Sequence, residues 1–248
     1  MKACTLTAGL AWSMIALGVA TFAFLCTGFR APYGRYKDKK YNWELPGRLA
    51  WITQEMWACL IPAAMFLMSN RTATQKLPLA LLIGHYIYRS FVFPFCLQQP
   101  KQTPFHVWLA ASGFVLGNSI LQGIQLVYCD TKPVPLASTV YGVCLWAAGL
   151  SVNVMSDCAL QTLRRRWPQK GYQIPHGGMY ELVSCPNYLG ETIEWIGYAI
   201  TTGSLAGAAF AFYTFANLAP RAHQHHQWYR EKFSDYPANR KAYIPYVW

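Results

Sequence analysis

The chain has 248 residues, 54% of them apolar, 16% aromatic and only 12% charged. A soluble domain carries roughly 25% charged residues, so this composition excludes an ordinary water-soluble fold and fits a protein solvated by lipid. The formal net charge of +11 would suit a nucleic-acid binder, but the cations are placed as a bilayer requires, and no nucleic-acid partner is expected.

Residues 3–29 hold no Asp, Glu, Lys or Arg. Lys2 before an apolar run resembles a signal peptide, yet the run is long and no small-x-small cleavage site follows it. A retained first helix is expected. The next run, 49–70, is interrupted only by Glu55, which follows Gln54 between Trp51 and Trp57. An apolar setting favours the neutral acid, which can donate a hydrogen bond. Residues 77–97 are interrupted only by Arg89. Tyr86 and Arg89 stand three apart and share a helix face. An ionised group at mid-span faces a cavity or a partner and marks a working site. A tyrosine near a carboxylic acid can polarise a carbonyl and supply a proton. Residues 102–129 and 133–156 carry no charge, and each can supply the ~20 apolar residues that cross a bilayer.

Beyond them Asn153, Asp157 and Arg164 follow at i, i+4 and i+11, on one helical face. This stripe ends in Arg164, Arg165 and Arg166 and suits a ligand with sugar hydroxyls and phosphates, which the guanidinium fork binds well. Glu191 and Glu194, one turn apart, precede the uncharged run 195–220. A turn near Thr201, Thr202, Gly203 and Ser204 divides 177–220 into two spans. The pairs Gly113/Gly117 and Gly203/Gly207 have the spacing of close helix contacts. No G-x-G-x-x-G or Walker pattern occurs, so a dinucleotide would be bound without a Rossmann unit. Eight cysteines are scattered without a C-x-x-C pair and are expected to be small buried fillers, with neither a zinc site nor a disulfide framework. His223, His225 and His226 invite a metal. The other three histidines are isolated and no cysteine or carboxylate stands at ligand spacing, so none is expected.

The fold expected is therefore all-α: a polytopic membrane helical bundle of about seven transmembrane helices, one integral-membrane domain over 1–248. In that arrangement sixteen of the 21 Lys and Arg lie on one side. Four (Lys2, Arg71, Lys76, Lys132) lie opposite, and Arg89 is within. The positive-inside rule puts the N-terminus outside and the C-terminus in the cytoplasm, in the endoplasmic reticulum membrane of a eukaryote or the inner membrane of a bacterium.

Three blocks resemble the steroid 5α-reductase (3-oxo-5α-steroid 4-dehydrogenase) family. The first is Leu45-Pro-Gly-Arg-Leu-Ala-Trp-Ile-Thr-Gln-Glu. The second runs from Asn153-Val-Met-Ser-Asp157 through Arg164 to Gly171-Tyr-x-Ile-Pro-x-Gly-Gly178. The third is Asn187-Tyr-Leu-Gly-Glu-x-Ile-Glu-Trp, continuing through Arg221-Ala-His-x-His-His-x-Trp-Tyr to Phe233-x-Asp-Tyr-Pro-x-x-Arg-Lys-Ala-x-Ile-Pro-Tyr. The similarity covers the chain after about Tyr33. It implies a seven-helix membrane fold enclosing NADPH, and reduction of a carbon–carbon double bond conjugated to a ketone. Glu55 and Tyr86 would be catalytic and, with Gln54 and Arg89, hold the steroid, which enters from the surrounding membrane lipids. Tyr33, Asn153, Asp157, Arg164, Tyr172, Asn187, Glu191, Arg221, His225 and Tyr229 would line the cofactor, and Glu194 would be structural. No obligate protein partner is implied. Three features depart from the family pattern: Met155 in place of a histidine, Gln161 in place of an arginine, and a turn from Arg164 to Gly171 one residue longer.

Other readings predict different observations. A polyprenol or long-chain enoyl-CoA reductase would share the C-terminal blocks but not Gln54-Glu55. An isoprenylcysteine methyltransferase would bind S-adenosylmethionine instead. A sterol-binding receptor or transporter would bind steroid without consuming NADPH.

Overall fold

The computed structural model describes residues 2–32, 34–37, 41–130 and 133–248; Tyr33 lies outside them. Almost all regular structure is helical. Helix α1 (Lys2–Cys26) is apolar around its circumference, and leaves Leu6, Leu10, Trp12 and Leu17 exposed. Its buried stripe of Thr7, Ala11, Met14, Gly18 and Leu25 recurs at helical spacing and packs on α9 (Leu205–Lys232). Gln224 of α9 donates to the carbonyls of Leu25 and Phe29, 3.0 Å each, which ties the end of α1 and the residues after it to α9.

α2 (Gly47–Glu55) and α3 (Trp57–Met68) follow one another across Met56. α4 (Ala73–Ile87) begins at a capping box formed by Thr72 and Gln75, which satisfies two otherwise open amides. It widens into a π-helical turn at Tyr88–Val92 before α5 (Phe93–Cys96). Pro94 lacks the N–H that would bond to Ser90, and the amide of Phe93 bonds to Tyr88 instead. Strand β1 (Glu44–Leu45) pairs antiparallel with β2 (Thr103–Pro104), joining the entry of α2 to that of α6 (Phe105–Ile124). A second π-helical turn, Gln125–Cys129, ends the α6 rod.

The closest helix pair is α7 (Leu136–Arg166) with α8 (Pro186–Thr202). Gly142 and Gly149 of α7 face Gly197 and Gly190 of α8, seven residues apart on each helix. A Cβ on any of the four would run into the facing backbone. Small residues let backbones approach in this way. Gly113 and Gly117, by contrast, have nothing within 4 Å of a Cβ, so the expected close packing there is not present. Gly203, in the left-handed region at φ 58°, ends α8, and the Ser204 side chain caps α9 by accepting from the Gly207 amide. Gly207 of that pair lies close against Thr202 and Ala199 of α8, while Gly203 makes the corner that divides 177–220 at Gly203–Ser204.

Among the described residues five helical runs are long and apolar enough to cross a membrane: Lys2–Cys26, Gly47–Met68, Ala73–Cys96, Phe105–Cys129 and Leu136–Arg166. This is an integral membrane protein. The cysteine expectation fails at one pair: Cys4 and Cys129 form a disulfide, 125 residues apart in sequence with Cα atoms at 5.4 Å. Folding brings the start of α1 beside the end of the α6 rod, which sequence spacing could not reveal. Cys26, Cys144 and Cys158 are exposed rather than buried.

Candidate active site

Among α2, α4, α7 and α8 the bundle collects most of the polar residues that the sequence singled out. Arg89, on the π-helical turn after α4, is the hub. Its Nη1 lies 3.2 Å from Asp157 Oδ2 and its Nη2 3.9 Å from Glu191 Oε2. Its guanidinium lies over Trp51 at 4.8 Å and Phe93 at 4.7 Å. Asn187 donates to Asp157 Oδ1 at 2.9 Å, and Asn153 donates to the Asn187 carbonyl at 2.9 Å and to Glu191 at 3.4 Å. One arginine therefore serves two carboxylates, and an asparagine donates to each of them. A charge cluster in lipid persists only when partners are supplied in this way.

Gln54 donates to Glu55 Oε1 at 3.1 Å. Glu55 lies within electrostatic reach of Arg89, Glu191 and His85, and Tyr86 within reach of Glu55, Glu191, Arg89 and Glu194. Tyr86 is buried, while Glu55 and Arg89 keep some accessible surface within densely packed surroundings. The same combination holds for Tyr188, Arg221 and His225, toward the basic end of the bundle. An outer apolar groove of about 760 Å³ between α8 and α9, lined by Ile196, Ala208, Phe212 and neighbours, carries no ionisable group.

At the basic end the Arg35 guanidinium is caged by Tyr172, Trp228 and Tyr229 at 5.0, 4.6 and 5.0 Å. Arg164 lies over Tyr172 at 5.5 Å and Lys232 over Trp228 at 5.0 Å. Arg165 and Arg166 are exposed, so one arginine of the triplet faces inward. His225 Nδ1 lies 2.7 Å from the Tyr36 hydroxyl, and Nε2 lies 3.3 Å from that of Tyr188. Burial pushes the Tyr36 hydroxyl up to about 12, against the opposing pull of Arg35 and Arg30. It stays neutral as a hydrogen-bonding partner. The three neighbouring histidines point apart: His226 meets Ser184 Oγ at 2.7 Å and His223 meets Gln227 at 2.9 Å. Arg221 donates to Asn217 Oδ1 at 3.2 Å.

Tyr172 reaches this end from a loop pinned by Glu181, which accepts from the Gly177 amide at 2.6 Å. That amide holds the Glu181 carboxyl below its ordinary range. The departures from the family pattern also find places. Met155 is 71% exposed on the far side of α7, so a histidine there would not reach the cluster. Gln161 is buried and accepts from the Gln98 amide at 3.4 Å.

Arg35, Tyr36, Tyr188, Trp228 and Lys232 belong to the basic end without having been singled out from sequence. They carry no spacing signal, because a loop and two separate helices bring them together. His85 was read as isolated, yet it pairs with Glu194 at 2.7 Å.

The sequence model of the family described as 3-oxo-5-alpha-steroid 4-dehydrogenase matches residues 101–248. Over almost its whole length the chain is also similar to curated proteins. It is 39% identical over 251 residues to 3-oxo-5-alpha-steroid 4-dehydrogenase 1 of Bos taurus, covering 96% of this chain and 95% of the relative. The chain belongs to this family. The human type 1 protein is 36% identical, covering 98% of this chain and 95% of the relative. The type 2 protein of Rattus norvegicus is 37% identical, covering 93% and 95%. As a family member the protein is an oxidoreductase of steroid 4-enes, and the polar cluster is its candidate active site.

Proposed function

We propose that the protein reduces the Δ4 double bond of 3-oxo-Δ4-steroids to 5α-3-oxosteroids, with NADPH as reductant. The observation that carries this reading is the run of partly accessible polar residues inside the bundle, from Glu55 beside Tyr86 through Arg89 to the basic cluster of Arg35, Arg164 and Tyr172. The residues fit a dinucleotide. Among the described residues Asn153 Oδ1 and Arg35 Nη1 are buried without a hydrogen-bond partner, and such atoms in a folded protein call for a partner. Arg164, Arg35 and neighbouring cations would hold the phosphates. Aromatic rings at Tyr172, Trp228 and Tyr229 would pack against flat groups, with Tyr33 a further cofactor contact by resemblance. Asn153, Asp157, Asn187, Glu191 and His225 would meet the hydroxyls and amides. Bound there, NADPH supplies the hydride.

The chain's own residues supply the rest. Tyr86 and neutral Glu55 donate hydrogen bonds to the C3 oxygen of the substrate, stabilising the negative charge that develops on it in a site closed to water. The net reaction adds hydride at C5 and a proton at C4, the latter supplied through Tyr86. Gln54 holds Glu55, and Arg89 fixes Asp157 and Glu191. The steroid is too apolar to wait in water and reaches the bundle from lipid.

The same reading takes α8 and α9 as two further membrane crossings. It places the N-terminus outside, and the C-terminus and the basic end of the bundle in the cytoplasm. The Cys4–Cys129 disulfide then lies on the outer side, where oxidising conditions preserve it. The test is NADPH oxidation by the detergent-purified protein with and without testosterone or progesterone, with the product followed by mass. A steroid-dependent gain of two hydrogens is the expected result. Tight NADPH binding without steroid turnover would move the substrate to another enone or enoyl lipid. Absence of NADPH binding would overturn the reading.

A further inference from the structure

α4 and α8 cross where two dipeptides meet: His85-Tyr86 on one helix and Glu194-Trp195 on the other. His85 Nδ1 lies 2.7 Å from Glu194 Oε1, and the two side chains are 2% and 0% exposed. The imidazole stands edge-on to Tyr86, with ring centroids 4.8 Å apart and planes at 73°. It also packs on Trp195 at 4.6 Å. Trp195 in turn lies nearly parallel to Tyr86 at 6.0 Å and 26°. The tyrosine ring is thus bounded on two sides, by His85 of the buried pair and by Trp195, which follows its partner Glu194.

The pair is itself referenced to a rigid element. The Glu194 backbone rests on Gly149 of α7, where a Cβ would overlap the Glu194 amide nitrogen. The second oxygen of Glu194 makes no hydrogen bond among the described residues, so the carboxylate is oriented through His85. A filler would not need such a pair. Apolar residues of the same volume are often at least as stable as buried charged partners, and a phenyl ring could supply the contact to Tyr86.

We propose that His85 and Glu194 are positioning residues: their pair transmits the fixed geometry of α7 and α8 to α4 and holds the Tyr86 ring against Trp195, so that its hydroxyl meets the substrate oxygen. This rests on the reading of Tyr86 as a donor to that oxygen. Misplacing a reacting group by about 1 Å costs on the order of 100-fold in rate.

The test is a double-mutant cycle on the full chain in detergent. Progesterone turnover and NADPH affinity are measured separately for Tyr86→Phe, His85→Leu and the double variant. His85→Leu is expected to lower kcat about 10–100-fold while leaving NADPH affinity within about twofold, and to add less than about threefold in the Tyr86→Phe background, since coupled residues are not additive. Glu194→Gln keeps an oxygen that accepts from His85 and is expected to retain most of the rate. Wild-type kcat in His85→Leu, or the same loss with and without the Tyr86 hydroxyl, would overturn the positioning role and leave the donor reading standing. Wild-type turnover by Tyr86→Phe alone would instead remove the donor reading and the inference with it. If His85→Leu does not fold, His85→Gln keeps a donor toward Glu194 without the ring. Additive loss in that cycle overturns the proposal, and non-additive loss supports it.

Discussion

In the proposed reaction Glu55 and Tyr86 each direct a hydrogen-bond donor at the substrate oxygen. Tyr86→Phe and Glu55→Ala are each expected to lower kcat about 100–1000-fold, the usual cost of removing one donor from a developing oxyanion. NADPH affinity, measured by fluorescence titration, should change little, because neither side chain belongs to the basic end. Arg35 is the converse case. Three aromatic rings hold it and its Nη1 has no partner among the described residues, so Arg35→Ala is expected to raise the NADPH dissociation constant about tenfold or more and spare kcat at saturation. A charge-assisted hydrogen bond to a buried phosphate accounts for that magnitude. Met155→His is expected to change neither constant, because position 155 faces outward. A marked gain in NADPH affinity would show that the α7 face has been misjudged.

At the scale of helices, the α7–α8 pair is the frame on which the site is built. It carries Asn153 and Asp157 on one side and Asn187, Glu191 and Glu194 on the other. Its closeness depends on glycine at 142, 149, 190 and 197, where a side chain would meet backbone rather than a yielding side chain. Gly149→Val is expected to cost about 1–3 kcal/mol or more through overpacking, seen as a lower melting temperature in detergent, with turnover falling alongside. Gly113→Ala, with open space at its Cβ, should leave both unchanged. The G-x-x-x-G spacing in α6 looked like the packing signal, while the working pairs lie seven residues apart and become visible only when two helices are docked. Likewise the π-helical turn at Tyr88–Val92 brings Arg89 onto the carboxylates. A straight α-helix drawn from periodicity contains Arg89 but not this change of phase.

For the whole molecule, the charge distribution and the disulfide make independent statements about sidedness. Cys4 and Cys129 join α1 to the end of the α6 rod, while Arg35, Arg164, Arg221 and Lys232 belong to the basic end of the bundle. Cys4 and Cys129 are expected to resist alkylation in sealed microsomes or inverted vesicles until reduced. They should then be labelled by an impermeant maleimide only from the face opposite the C-terminus. Labelling from the same face as a C-terminal tag would overturn the proposed odd number of crossings.

Composition, apolar run length and the placement of a few charges were enough to read a helical membrane protein from the sequence, because the cost of burying charge in lipid leaves those signals in linear order. The motif blocks around Gln54-Glu55, Asn153 to Asp157 and Asn187 to Glu194 carried the family, because each is local. Tertiary structure alone decided which carboxylate pairs with which cation. Arg89 takes Asp157 and Glu191, while Glu194 goes to His85. It also decided that Arg35 enters an aromatic cage and that two of eight cysteines are joined. Those contacts span tens to more than a hundred residues, and their geometry follows from helix docking, which periodicity within a single helix does not encode.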